Sequence, residues 1–499
     1  MPSIVPLQLH NELQTSSNRV FTREQVESRL TAVRGRTLGE IDVCGVLEEA
    51  VKHRPDKVVR GIAGDVIEVS VLGCGRDSKP EPDITVDGVK TELKTTGLQK
   101  PYGNRERQFE PKEPLTITNI SAETLKYEKF ENSRFYHKIE HILFVFYHYT
   151  LSKTAVNSAD YRSFPVLGHM FWEITPIDIE RLKSDWLQMQ EFVRHHDFMD
   201  ENERHRLKQN LLLIDYSSPK QPRFRLKKAF VTTIVDTFLQ QRSLEVLPDQ
   251  ITKFSDIDQK CHLFTQQYKG KTLAELCDIL GVEISGKDAC QRIIVKMFGG
   301  HASSINQIKD FCEIGLVAKT IVLTSDGKRT EDMKLFRVDF DEWCNLNKVF
   351  AERDCSQQEL FYNDYSEAYS YFAEQSFIFI IFEEPYQGQD IPLEQCQFLG
   401  FKRYSFSEYF INTSVRDMWN EVRNLVLNKT LREERKGRGL SPNFPKSNNH
   451  NLFLRGSGRT AKDRRKRLEK WGINIEMYSQ YVWIRGDYIV NELANKNYL

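Results

Sequence analysis

The chain has 499 residues, of which 40% are hydrophobic and 28% charged, and its 70 basic and 70 acidic side chains cancel to a formal net charge of zero. That length suits two or three globular domains, and the balanced charge does not by itself announce a nucleic-acid partner. Nine scattered cysteines, an odd count with no Cys-x-x-Cys, argue against a disulfide framework and a zinc module and suit a reducing cytoplasm.

The opening Met1-Pro-Ser-Ile-Val-Pro6 has no basic segment followed by an apolar one, so no secretory signal is expected. The longest apolar run, Phe377–Phe382, is far too short to span a bilayer and reads as a buried strand. Helices are predicted over Arg23–Ala32 and Leu38–Val51, and a further helical stretch carries Gly64-x-x-x-Glu68 ahead of Gly73. Next comes Asp83-Ile-Thr-Val-Asp87-Gly88-Val-Lys-Thr-Glu92-Leu-Lys94-Thr. Asp-Gly between β-rich runs is a strong signal for a two-residue hairpin turn. Pairing outward from it sets Val86 against Val89, Thr85 against Lys90, Ile84 against Thr91 and Asp83 against Glu92, with Lys94 on the same face. Two opposed carboxylates repel unless a cation lies between them. A hard divalent ion with oxygen ligands, Mg²⁺ by preference, suits the pair, and a lysine beside it can hold or deprotonate an attacking water. The bland alternative is an exposed hairpin with a solvated charge ladder. Downstream, Ile142–Phe146 is a central buried strand, Ile177–His195 an amphipathic helix, and Phe224–Leu239 a late strand and closing helix.

The chain then repeats itself. Arg34-Gly-Arg-Thr-Leu-Gly-Glu40 recurs as Lys269-Gly-Lys-Thr-Leu-Ala-Glu275, Trp186 as Trp419, Ile142–Phe146 as Phe377–Ile381, and Phe224–Val231 as Val482–Ile489, all in the same order. Two diverged copies of one α+β unit, a mixed sheet flanked by helices, are expected: 1–245, a linker at 246–262 with a polar seam around Pro248–Lys260, and 263–499. The hairpin's expected counterpart is Asp310–Thr320. There Asp310 and Lys319 persist, Val317 stands for Glu92, Ile294 for Glu68 (before Gly299), and Ala373 or a neighbour for Lys138. The second copy is expected to keep the fold and lose the metal site.

The order Gly64-x-x-x-Glu68, Lys79-Pro80-x-Pro-Asp83, Gly88-Val-x-x-Glu92-Leu-Lys94-Thr95 resembles the MutH family of PD-(D/E)xK endonucleases. Length and duplicated layout resemble that family's two-domain type II restriction endonucleases cutting at GATC. The resemblance implies a bacterial cytoplasmic enzyme that hydrolyses double-stranded DNA with Mg²⁺, leaving a 5′-phosphate and a 3′-hydroxyl, with no nucleotide cofactor and no membrane. Asp83 and Glu92 would bind the metal, Lys94 would position or activate water, and Glu68 would lie near the metal or orient Lys94. Lys138, in Tyr136-His137-Lys138, would be a second lysine at the scissile region. Asp83 and Glu92 stand two residues farther apart than is usual in the family, which leaves Asp87 as a rival ligand. The family's base-reading loop should fall between Leu213 and Phe224, where this chain is short.

A local excess of positive charge, 13 Lys/Arg against 4 Asp/Glu, runs from Thr430 to Lys470. Within it Arg455, Arg459, Lys462, Arg464 and Arg465 are candidate DNA contacts, with arginines able to read guanine edges; a solvated helix face is the alternative. Arg223, Arg225, Lys227 and Lys228 form a smaller candidate patch. Gly270-Lys-Thr272 lacks the first glycine of a phosphate loop, since Thr265 stands there, and reads as structural. His195, His196 and His205 read as surface residues, and the aromatic stretch Phe361–Phe372 as packing. The expected function is a type II restriction endonuclease whose second copy binds DNA as an effector, working as a DNA-induced homodimer. A mismatch-repair nicking enzyme and a non-catalytic, sequence-specific DNA-binding protein are the other readings.

Overall fold

The computed structural model describes residues 19–53, 61–75, 81–101, 107–150, 158–217, 219–239, 242–284, 288–329, 331–344, 366–387, 391–436 and 439–499. Lys79 and Pro80 of the motif, the first residues of the chain, and Phe361, Tyr362 and Tyr365 of the aromatic stretch lie outside them.

The first half is built on a six-stranded mixed sheet. Strand β1 (Val20–Phe21) leads into helix α1 (Arg23–Ala32), which opens on a capping box in which Thr22 and Gln25 satisfy each other's backbone N–H groups. Helix α2 (Ile62–Val66) runs on into a π-helical turn, Ile67–Leu72, that stops at Gly73 (φ +76°). Strands β2 (Ile84–Val86) and β3 (Val89–Gln99) form the expected hairpin in the expected register. Asp87 (φ +48°) and Gly88 (φ +83°) both take the left-handed conformation that a type I′ turn requires and that Asp and Gly tolerate best.

After β4 (Leu115–Asn119) and α3 (Arg134–Ile139), strand β5 (His141–His148) lies parallel to β3, and β6 (Val166–Glu173) antiparallel to β5. Alternation along β3 and β5 separates two cores. Leu93, Leu143 and Val145 face α1 and α2, whereas Leu98, Ile142, Phe144 and Phe146 face α3 and the long helix α4 (Pro176–His195). A second small sheet joins β4 to β7 (Ile214–Tyr216) and β8 (Arg223–Leu226), followed by α5 (Lys228–Phe238). Its edge is pinned by buried Asp185 of α4, which accepts the backbone N–H groups of Leu212, Leu213 and Ile214 at 2.7–2.8 Å.

The segment expected as a polar linker is not one. Helix α6 (Phe254–Tyr268) starts inside it, and Leu247, Ile251, Phe254, Ile257 and Cys261 are buried in a hydrophobic cluster that takes in Leu98 of β3 and Phe401 of the second half. The two halves therefore share a core. Buried Arg181 of α4 reinforces the junction, donating to Glu313 at 2.7 Å, to Asp310, and to the Ile251 carbonyl at 2.7 Å.

In the second half, helices α7 (Leu273–Leu280), α8 (Ala289–Met297) and α9 (Lys309–Ile314) precede strand β9 (Leu316–Leu323). Strand β10 is Met333–Arg337; β11 (Ser376–Glu383) lies parallel to β9, and β12 (Gln397–Tyr404) antiparallel to β11. Helix α10 (Arg416–Leu427) packs Trp419 inward, as α4 packs Trp186. Strands β13 (Leu452–Ser457) and β14 (Ser479–Ile484) complete a sheet with β10, and α11 (Gly486–Ala494) follows. Thr37 with Glu40, and Thr272 with Glu275, make equivalent capping boxes, so Gly270-Lys-Thr272 is indeed a helix start. One expectation fails here: Asp310 sits on helix α9 rather than on a hairpin, and its carboxylate is spent on Arg181 and the Leu247 N–H.

Candidate active site

One residue pair beyond the β2–β3 ladder, Asp83 stands opposite Glu92, and its Oδ2 accepts the Leu93 N–H at 2.9 Å. Glu92 is only 1% exposed. Lys94, two residues along the same face, donates to Glu92 Oε1 at 2.7 Å. Lys138 reaches the same carboxylate from α3, donating to both oxygens at 2.7 Å. Helix α3 is aimed by Ser133, whose hydroxyl caps it by accepting the Tyr136 N–H at 3.0 Å. Glu92 is thus a buried carboxylate neutralised by two ammonium groups, an arrangement that is stable only while the partners stay in place.

Among the described residues Asp83 has no such ammonium in contact. Burial and the charge of Glu92 push its pKa up, against Lys94, the Leu93 N–H and Lys138. Glu68 projects from the π-helical turn toward the same place. Burial, then Asp83, push its pKa up to about 7, and Arg19 at 3.5 Å opposes them. Single π turns inside helices concentrate at functional sites, because the extra residue re-aims a side chain. Arg19 carries no motif and escaped the sequence reading. Its guanidinium donates to the Asp83 carbonyl at 2.6 Å and to the Gly75 carbonyl, tying both acidic segments together. Asp87 is engaged elsewhere: exposed on the turn, its carboxylate accepts the Arg23 N–H at the start of α1, 3.3 Å from each oxygen.

Among the described residues no group of three or more His, Cys, Asp or Glu side chains is placed to hold a metal ion. The donor set is instead two opposed carboxylates with a third nearby. That fits Mg²⁺, which is commonly held by one or two carboxylates and keeps waters and substrate phosphates as its other ligands.

The candidate DNA contacts divide. Arg223 is exposed. Arg225 pairs with Asp215, Lys228 with Glu110 at 3.1 Å, and Lys227 is buried with its ammonium on the Leu211 carbonyl, so those three face inward as β8 and α5 pack on the second half. In the basic run Arg459, Lys462 and Arg465 are exposed; Arg455 pairs with Asp332 at 2.6 Å and Arg464 with Glu433 at 2.7 Å. This run is no helix face: it forms a turn and the strand Arg465–Leu468, which pairs with Ile473–Met477. Of the histidines, His195 and His196 are exposed, and the half-buried His205 contacts Gln209 at 2.6 Å. Tyr371 and Phe372 pack on Phe336, as packing residues should.

A family model described as DNA mismatch repair enzyme MutH matches residues 72–185. The match takes in Asp83, Glu92, Lys94 and Lys138 and starts just after Glu68. No curated protein matches the chain. With the mixed sheet flanked by helices, the match supports a MutH-like endonuclease fold and a nuclease that acts on DNA. No helix among the described residues is long and apolar enough to cross a membrane.

Proposed function

We propose that the protein is a Mg²⁺-dependent, site-specific endonuclease of the type II restriction class, cutting double-stranded DNA with the first half and gripping it with the second. The observation that carries the reading is the meeting of Asp83, Glu92, Lys94 and Lys138 at one end of the hairpin, inside the span that matches a nuclease family. Bound between Asp83 and Glu92, Mg²⁺ would polarise the scissile phosphate and make its water more acidic. Lys94, 19% exposed and held as an ammonium by Glu92, would donate to and orient the attacking water, whose proton would leave to solvent as it attacks. Lys138 restrains Glu92 and brings positive charge to the scissile region. Glu68 and Arg19 fix the segment that carries Asp83. Water adds to phosphorus, the bond to the 3′-oxygen breaks, and that oxygen takes up a proton, leaving a 5′-phosphate and a 3′-hydroxyl.

The matching strand order of the two halves supports a tandem duplication. In each, a parallel pair is followed by an antiparallel strand, with a β-bulge after Phe146 and after Ile381. The second half would bind DNA through Arg455, Arg459, Lys462, Arg464 and Arg465, joined by Arg223 from the first. One cutting site per chain on a palindromic target calls for two chains meeting on DNA; GATC is the first target to try. Digestion of a sequenced plasmid with Mg²⁺, with fragment ends read, tests the proposal. Linear products with uniform 5′-phosphate ends support it. The family description favours a mismatch-repair nickase as second reading, and open circles without linear product would select it. Uncut plasmid would leave the DNA-binding reading.

A further inference from the structure

The β-bulges give a common origin for comparing the halves. Lys94 pairs with Phe144, two residues before the bulge at Phe146, and Lys319 with Phe379, two before the bulge at Ile381. Glu92 and Val317 then occupy the same position on their strands. In the first half the lysine is neutralised by the glutamate beside it. In the second it is not: the half-buried Lys319 donates to the Lys334 carbonyl at 3.1 Å. The Lys334 ammonium donates to Ser457 Oγ at 3.2 Å and lies 3.4 Å from the centre of the Tyr481 ring. Among the described residues neither ammonium meets a carboxylate. Burial and then the Lys334 charge push the Lys319 pKa down, and burial does the same to Lys334. Two partly desolvated cations, near enough that the Lys334 charge disfavours the charge on Lys319, are costly, and an anion that meets both relieves the repulsion and the lost hydration.

We propose that Lys319 and Lys334 form a metal-independent site for a DNA backbone phosphate, built where the first half holds its carboxylate–lysine cluster. The inference rests on the reading that this protein acts on DNA. Loss of the glutamate removes the metal ligand, and the retained lysine, joined by Lys334 and the Ser457 hydroxyl, turns a cutting position into a holding one.

The test uses the full chain and a fluorescein-labelled duplex in EDTA, with binding followed by anisotropy over a range of salt concentrations. Lys319→Met with Lys334→Met should weaken binding on the order of tenfold and flatten the log–log salt slope by roughly 2, about one for each ammonium taken away from the phosphate. Lys319→Arg with Lys334→Arg should keep both. The thermal midpoint of the Met variant should not fall, since it sheds two partly desolvated charges; if it does, single Lys319→Gln and Lys334→Gln variants carry the same test. Unchanged affinity and slope in folded variants, while the wild type binds, overturn this site and leave the nuclease reading standing. A wild type that binds no duplex in EDTA or Ca²⁺ and cuts none in Mg²⁺ overturns the nuclease reading, and this site with it.

Discussion

Lys138→Met tests the cluster most directly. Lys138 is 8% exposed, Glu92 1%, and the ammonium touches both carboxylate oxygens. Stripping one partner from a buried ion pair costs about 3–5 kcal/mol. Lys94 still holds Oε1 in the variant, so the lower end, about 3 kcal/mol, is expected. Adding Glu92→Gln removes the stranded charge, so the double variant should recover about 2 kcal/mol, a coupling typical of residues in direct contact. The metal makes a second arm. In the wild type Lys94 and Lys138 both hold Glu92; without Lys138 the site loses one positive charge beside its carboxylates. Mg²⁺ should therefore stabilise the variant more than the wild type, even as cleavage falls. Urea unfolding of the wild type, the two single variants and the double variant in EDTA and in Mg²⁺ measures all of this. A loss below about 1 kcal/mol, or strictly additive single variants, would refute the claim that Lys138 neutralises Glu92.

The rival aspartates separate cleanly: Asp83→Asn should abolish plasmid cleavage, whereas Asp87→Asn, which keeps an oxygen for the Arg23 N–H and tolerates the turn, should leave the rate in the same order of magnitude. The reverse pattern sinks the assignment. At the junction of the halves, burial first and Asp178 second push Glu313 up to about 7, against Lys309 and Arg181, from 4.5. Its folded pKa lies above its unfolded one, so its stabilising share is complete below pH 4.5 and is lost as pH climbs through 7. At ~1.4 kcal/mol per pH unit, wild-type stability relative to Glu313→Gln should fall by about 2 kcal/mol between about pH 5.5 and 8; a flat difference contradicts it. If two chains must meet on DNA, a two-site plasmid should be cut faster than a one-site plasmid, and equal rates argue for a monomer that nicks twice.

The hairpin was legible because its causes are local. Asp87-Gly88 dictates the turn, period two dictates the faces, and together they oppose Asp83 to Glu92 and put Lys94 beside them. The helix Arg23–Ala32 and the central strand were legible for the same reason, whereas the single helix expected over Leu38–Val51 is broken into Leu38–Ile41 and Val46–His53. The central apolar strand of the second half, Phe377–Phe382, was legible too, as a run of buried residues long enough for a strand and too short for a membrane span. Tertiary structure alone decided the remainder. Nothing near Arg19 in sequence says that it will bridge Asp83 and Glu68, and nothing near Lys227 says that it will be buried where the halves pack. Asp310 looked like a metal ligand's remnant until α9 turned it onto Arg181. These contacts join residues far apart in the chain, and burial fixes which of them a charge can keep: a buried ionic group must find its partner wherever the fold puts one.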